Sequence, residues 1–243
     1  MNADALTLRP ATTQDLPAVA EVYLRSREAA HPAIPAGVHS AEEVRQWVAG
    51  WDLAKFDAWL AEDADGPVAY AVLEGDWLHS LYVLPDAARQ GVGSALLDLA
   101  KSLRPGGFCL WVFESNQPAR DFYRQHGLLA LERTDGKGNE EQSPDIRMAW
   151  PGAEPLAFYR GLIDEVDAEL GDLLARRAAL TRVVQQYKAA GPQPPPRDPD
   201  REDEIVAALA HRAPELGPER LRRIVHAIIT ESLEAAQDGS QRA

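Results

Sequence analysis

Two domains are predicted: an α/β domain with a mixed central sheet and helices over residues 1–150, then an all-α three-helix domain over 156–239. Three observations predict them. Up to about residue 150 the apolar pattern keeps switching between a strand period and a helical period. After "WPGAEP" the strand signal stops. From Tyr159 onward, apolar residues recur alternately four and three apart: Tyr159, Ile163, Val166, Leu170, Leu173, then Arg177, then Leu180, Val184 and Tyr187. That is a heptad seam with one charge set into it.

Strands are read at "LTLRP", "FDAWLAED", "PVAYAVLEG", "WLHSLYVLP", "FCLWVFES", "LLALER" and "DIRMAW". Helices fall between them: "TQDLPAVAEVYLRSREAA" with Asp15 near its start, "SAEEVRQWVAG" opened by Ser40, "GVGSALLDLAKSL", and "NQPARDFYRQHG" closed by Gly127. Residues 151–155 read as a linker. A long helix follows to about residue 189, then the proline-rich break "GPQPPPRDPD" and helices over roughly 201–213 and 217–237. Residues 240–243 are a polar tail, expected to fray with the rest of "DGSQRA".

The chain has 243 residues, 45% apolar and 26% charged, a globular composition. A formal charge of -13 excludes nucleic acid and anionic membrane as main partners, since neither gains from that field. Cys109, the single cysteine, lies in the apolar run "FCLWVF" and reads as a core residue, compatible with a reducing cytosol. No apolar run reaches membrane-spanning length, and "MNADALTLRP" lacks the basic start and apolar core of a signal peptide. A soluble cytoplasmic protein is expected.

In "SLYVLPDAARQGVGSALLDLAKSL" a strand turns through Gly91 and Gly93 into a helix. Two readings fit. Either the glycines let an anion approach backbone amides at the helix N-terminus, or they make a plain strand-to-helix turn. A dinucleotide fingerprint is excluded, because Leu96 stands where its third glycine belongs. Further on, "FCLWVFES" ends in "NQPARDFYRQHGL".

Together with the opening "LTLRPATTQDLPAV", these segments resemble the GNAT acyltransferase superfamily over residues 5–150. The resemblance implies an acetyl-CoA-dependent N-acetyltransferase acting on an amine. Arg89, Gln90, Gly91, Val92, Gly93 and Ser94 would hold the pyrophosphate through main-chain amides. Asn116 would contact the coenzyme or the helix start, and Tyr123 would protonate the leaving thiolate. From the residues alone, a second reading of Tyr123 is an amphipathic anchor of its helix to the sheet. The family's Gln or Arg three before Gly91 is Ala88 here, which predicts weaker coenzyme affinity. A phenol of pKa about 10 donating to a thiolate of about 8.5 is uphill by only about 2 kcal/mol. Glu114, Glu140, Glu141, His79 and His31 are candidates for the base that deprotonates the acceptor, and none stands out.

Arg177 poses a separate question. A seam arginine can snorkel. One withdrawn from water needs a counter-anion, and Leu173, Leu174, Leu180 and Thr181, one turn either side, offer none. A bound anionic ligand would supply it. Arg177 and Lys188 are about 16 Å apart along a helix, within reach of one small molecule, whereas Arg160 and Lys188 are about 42 Å apart. If all three serve one site, Arg160 comes from a second chain. The uncovered seam also favours a homodimer.

Residues 156–237 resemble the all-helical AroQ-class, or type II, chorismate mutases, on "FYRGLIDEVDAELGDLLARR", "VVQQYK", "RDPDRE" and "IITES". The resemblance implies an intertwined homodimer converting chorismate to prephenate without metal or cofactor. Arg177, Lys188 and a partner's Arg160 would bind the substrate carboxylates, with Lys188 also donating to the ether oxygen. Glu202 would bind the ring hydroxyl, Asp198 and Ser232 would complete the pocket, and Arg201 belongs to the same motif. A unimolecular rearrangement needs only a compact conformer and charge stabilisation on oxygen; a rate gain of about 10⁶ is about 8 kcal/mol. Where the family carries a glutamine four after the serine, Ala236 stands, with Gln237 one residue on. Either Gln237 misses the pocket, a π-bulge turns it inward, or activity falls. The whole chain then reads as a bifunctional protein. The alternatives are an acetyltransferase whose helical domain only dimerises, or one whose helical pocket senses an aromatic metabolite.

Overall fold

The structure, a computed structural model, describes residues 6–189 and 198–241. The proline-rich break over 191–197 lies outside the described residues. By internal packing the chain divides into two compact units between Arg160 and Gly161.

In the first unit one seven-stranded sheet runs in the order β1 (Thr7–Pro10), β2 (Asp57–Asp63), β3 (Gly66–Glu74), β4 (Trp77–Val83), β5 (Phe108–Phe113), β7 (Asp145–Trp150) and β6 (Leu129–Arg133). Every neighbouring pair is antiparallel except β4 and β5, which are parallel and in register at one position, Trp77 opposite Cys109. Beyond that point the two strands part. Two features part them. The β3–β4 register shifts between Val72 and Leu73, leaving His79 as an extra residue on β4, and such a bulge re-aims a strand. On its other side β5 is paired along its length with β7, from Phe108–Trp150 to Phe113–Asp145.

Strand alternation sends apolar residues to both faces, so both must be covered. α1 (Leu16–Ala30) and α2 (Ala41–Ala49) bury Val19, Val22 and Val48 against Leu60 and Tyr70. α3 (Val92–Leu103) and α4 (Gln117–Gln125) bury Leu96, Leu97 and Tyr123 against Phe108, Leu110 and Met148 on the other face. Ser40 opens α2, as the sequence predicts, and Glu43 completes a reciprocal cap with it. The helix predicted from Thr13 opens instead as a 3-10 turn over Thr13–Asp15. There Asp15 bonds the Thr12 amide and also takes Arg9 at 2.7 Å, while the same guanidinium reaches Glu62 on β2 at 2.5 Å.

Across and beyond the unit boundary come α5 (Pro155–Ala189), α6 (Pro199–Ala210), a 3-10 turn over Pro214–Leu216, and α7 (Gly217–Gln241). α6 starts earlier than the predicted 201, because Asp198 accepts the Arg201 amide at 3.1 Å and Pro199 occupies the first turn. α7 continues past the predicted end at 237. Val206, Leu221 and Val225 form the small core between α6 and α7. Along α5 the seam residues Ile163, Val166, Leu170, Leu173, Leu180, Val184 and Tyr187 are exposed, whereas Arg177 is half-buried. The charged position of the seam is better covered than its leucines.

Candidate active sites

Between the parted strands lies a cavity of about 730 Å³, walled by β4 from Leu78 to Val83 and by β5 from Leu110 to Phe113. Asn116, Ala119 and Tyr123 line it from α4, Ser26 and Ala30 from α1, and Asn139 and Asp145 from the β6–β7 connection and the start of β7.

The glycine turn sits where β4 leads into α3. Gly91 is the N-cap of α3 with φ 84°, a left-handed conformation that glycine adopts without penalty, and Arg89 before it has φ 60°. A glycine cap brings no side chain to the first helical amides. Ala95 N–H already bonds Gly91 O at 2.9 Å, which leaves the amides of Val92, Gly93 and Ser94 as the donors for an anion. Gly93 departs from the expectation that its bare Cα faces an incoming phosphate. A Cβ there would meet the Phe122 ring at 3.5 Å and Val83 at 3.6 Å, so the position is set by packing. Ser94 is engaged by a residue the sequence did not single out: its Oγ lies 3.0 Å from His126 Nε2, and His126 Nδ1 lies 2.8 Å from Phe122 O. The Phe122 carbonyl only accepts, so Nδ1 carries the hydrogen; in the neutral ring Ser94 donates to Nε2.

Asn116 caps α4, its Oδ1 accepting the Ala119 amide at 3.2 Å, and it also faces the cavity. Tyr123 is buried, and burial pushes its phenol well above the ordinary range. It is therefore a neutral donor at all ordinary pH, and losing its proton is harder than for a free phenol. The candidate bases separate cleanly. Glu114 pairs with Arg133, Glu141 with Arg27 at 2.6 Å, and Glu140 lies 3.2 Å from His39. Glu140, Glu141 and His31 line a second cavity of about 400 Å³ beside α1. His79, the bulged residue of β4, lines the larger cavity and lies 3.4 Å from Glu74. Asp145 also lines it, and sequence reasoning missed it; no periodicity marks the first residue of a strand after a long loop.

In the second unit Arg177 Nη1 donates to Ser232 Oγ at 2.6 Å and to Ile228 O at 3.2 Å, while Ser232 Oγ donates to Ile228 O at 2.6 Å. Arg177 therefore has partners on α7 of its own chain, both of them neutral. Lys188 and Glu202 are half-buried, and Arg160 is exposed. Asp198 serves as the α6 cap, and Arg201 turns to Glu204 at 2.6 Å on the exposed side. On α7, Ala236 is buried on the face that carries Ser232, while Gln237 is exposed and its stretch of helix is regular. No π-bulge turns Gln237 inward.

Against known proteins, residues 54–127 match the acetyltransferase (GNAT) domain family and residues 159–237 match chorismate mutase type II. The peptidyl-lysine N-acetyltransferase YiaC of Escherichia coli is 31% identical over 151 residues, which cover 61% of this chain and 99% of YiaC. The chain belongs to the GNAT acetyltransferases. It carries a type II chorismate mutase domain behind the GNAT domain. The peptidyl-lysine N-acetyltransferase YjaB of Salmonella typhimurium is 28% identical over 131 residues, 54% of this chain and 88% of that one. The solution structure of apo YjaB from Escherichia coli superimposes with a TM-score of 0.51 at 25% identity, covering 61% of this chain and 99% of YjaB. The GNAT match spans β2 to the end of α4, so the turn, the parted strands and Tyr123 all lie inside it. The chorismate mutase match opens at Tyr159, the first residue of the seam, and closes at Gln237.

Proposed function

We propose that the GNAT unit transfers an acetyl group from acetyl-CoA to a lysine side chain of a peptide or protein. The observation that carries this is the cavity between β4 and β5, lined by Tyr123 and by Val83, whose side chain packs against Gly93 in the first turn of α3. On this reading the amides over Arg89, Gln90, Gly91, Val92, Gly93 and Ser94 hold the pyrophosphate. The thioester arm runs between the strands, where β4 and β5 are not paired with each other. Asn116 fixes the start of α4 and so the position of Tyr123, which hands its proton to the departing thiolate. YiaC and YjaB, both named peptidyl-lysine N-acetyltransferases, support lysine as the acceptor. Acetylation of a lysine peptide, followed with radiolabelled acetyl-CoA, tests this. Tyr123→Phe is expected to lower turnover at least about 100-fold with little change in acetyl-CoA affinity.

The helical unit, on the same reading, is a chorismate mutase that works as a homodimer. The half-buried Arg177, held by the neutral Ser232 hydroxyl and Ile228 carbonyl, carries this part. Arg177, Lys188 and Arg160 of a second copy would bind the substrate carboxylates, Lys188 would donate to the breaking ether oxygen, and Glu202 would bind the ring hydroxyl. Arg201 and the cap residue Asp198 would shape the rim. The exposed seam of α5 supports pairing with a second copy, because a run of uncovered leucines of this length is rarely left in water. Sedimentation should show a dimer that Leu173→Glu disperses, together with loss of chorismate consumption. Both reactions belong in the cytoplasm, in line with a single, buried cysteine, Cys109. A sensing or purely dimerising helical unit is favoured by one observation, the outward Gln237. A protein that binds chorismate without consuming it would decide for sensing.

A further inference from the structure

We propose that Asp145 recognises the acceptor in the GNAT cavity and selects a protonated primary amine. The proposal rests on the acetyltransferase reading and specifies how that site chooses its substrate.

Among the described residues lining the large cavity, the ionisable side chains are His79, Tyr82, Tyr123 and Asp145. Both tyrosines are held protonated by burial, Tyr82 being pushed up to about 12. Asp145 is therefore the one fixed negative charge of the lining. It begins β7, opposite Phe113 at the end of β5, so backbone pairing places it at the end of the parted strands.

Its carboxylate is held from two sides. Thr134 Oγ1 donates to Oδ1, and Asn139 Nδ2 donates to Oδ2 at 3.0 Å. Asn139 is fixed in turn, its Nδ2 also donating to Ser143 O at 2.8 Å and its Oδ1 accepting the Ser143 amide at 3.1 Å. Both donors to Asp145 are neutral, and among the described residues no cation lies within ion-pair distance of it. Its neighbours differ. Glu114 pairs with Arg133, Glu141 with Arg27, and Glu140 approaches His39. A half-buried carboxylate aimed by neutral donors keeps lone pairs open to a further donor. A lysine ammonium supplies three donors and the charge.

Recognition and proton removal are then separate. A carboxylate of pKa about 3.9 is a poor base for an ammonium of about 10.4. An imidazole is nearer in strength, and His79 lines the same cavity. The ammonium gives one proton to His79, the free amine forms the N–C bond to the thioester carbonyl, the C–S bond breaks as the thiolate takes a proton from Tyr123, and the remaining extra proton on the nitrogen leaves through water to restore the Tyr123 phenol.

The test uses the full-length protein, acetyl-CoA, and two peptides of one sequence. One carries lysine; the other carries an aminooxy side chain, which is uncharged at neutral pH. Wild type should show a KM for the lysine peptide about tenfold or more below that for the aminooxy peptide. Asp145→Asn should raise the lysine KM about 30-fold or more, leaving the aminooxy KM and the acetyl-CoA Kd within about twofold. Asp145→Glu should recover part of the loss. Equal wild-type KM values for the two peptides overturn the proposal even if the Asn variant fails to fold. So does an Asn variant that binds acetyl-CoA normally and keeps the wild-type lysine KM. A wild type that binds no acetyl-CoA, or acetylates neither peptide, overturns the acetyltransferase reading and this proposal with it.

Discussion

Arg177 and Ser232 are joined across 2.6 Å, guanidinium to hydroxyl, and the same nitrogen reaches Ile228 O at 3.2 Å. Both acceptors are neutral, so the contact positions the charge without cancelling it. Removing the hydroxyl lets the guanidinium swing; removing the guanidinium deletes the charge. Ser232→Ala should lower chorismate kcat/KM about tenfold, the scale of one hydrogen bond to a charged group. Arg177→Ala should lower it about 1000-fold, the upper scale for losing a charge-stabilising donor. Equal losses in the two variants would mean that Ser232 contacts substrate itself.

Ala236 and Gln237 divide the two faces of α7. Since Gln237 points out to solvent, Gln237→Ala should leave chorismate turnover unchanged. Ala236→Gln inserts a donor on the Ser232 face and should raise kcat more than it changes KM. The same substitution overfills a site that is 2% exposed, so a lower melting temperature, worth about 1–3 kcal/mol, should accompany the gain. Steady-state kinetics and a thermal scan on the same preparation check both halves.

Gly91 and Gly93 should respond differently to alanine. Gly91→Ala forces a Cβ into left-handed backbone, at about 1–2 kcal/mol, and shifts the amides that face the anion. Gly93→Ala places its Cβ at ordinary contact distance from Phe122 and should be tolerated. Calorimetry with acetyl-CoA should show a clear loss of affinity for the first and little for the second. Gly93→Leu should lose affinity and stability together, because it drives into Phe122.

Asp15 predicts an acid limit for the first unit. Arg9 beside it, with the Thr12 amide, holds its carboxyl well below the usual carboxylate range. A depressed folded-state value means that stabilisation is fully present above the unfolded value of about 3.9 and is lost as pH falls towards the folded one. Acid unfolding below about pH 4 should therefore lose part of its pH dependence in Asp15→Asn, which should also be less stable at neutral pH. Unfolding by urea at stepped pH measures both.

Much of this was legible in the sequence because it is local. A strand repeats every two residues and a helix every three or four, so "PVAYAVLEG" and the Tyr159–Tyr187 seam declare themselves within a few turns. The Gly91 turn and the capping pair Ser40–Glu43 are equally local, since a left-handed φ or a reciprocal cap is closed by neighbours in the chain. Arg177 stood out for the same reason, as the one charge in a periodic apolar row.

What only the tertiary structure decided is which charges meet. Glu114, Glu140, Glu141 and Asp145 carry the same chemistry within one stretch of chain, and nothing local ranks them. The ranking came from partners far away in sequence: Arg27 claims Glu141 across 114 residues, while the β5–β7 register sets Asp145 at the cavity beside neutral donors. Periodicity reports which face of an element is apolar. It carries no information on which distant side chain will neutralise a given charge, and that pairing determines which carboxylate is left to bind a substrate.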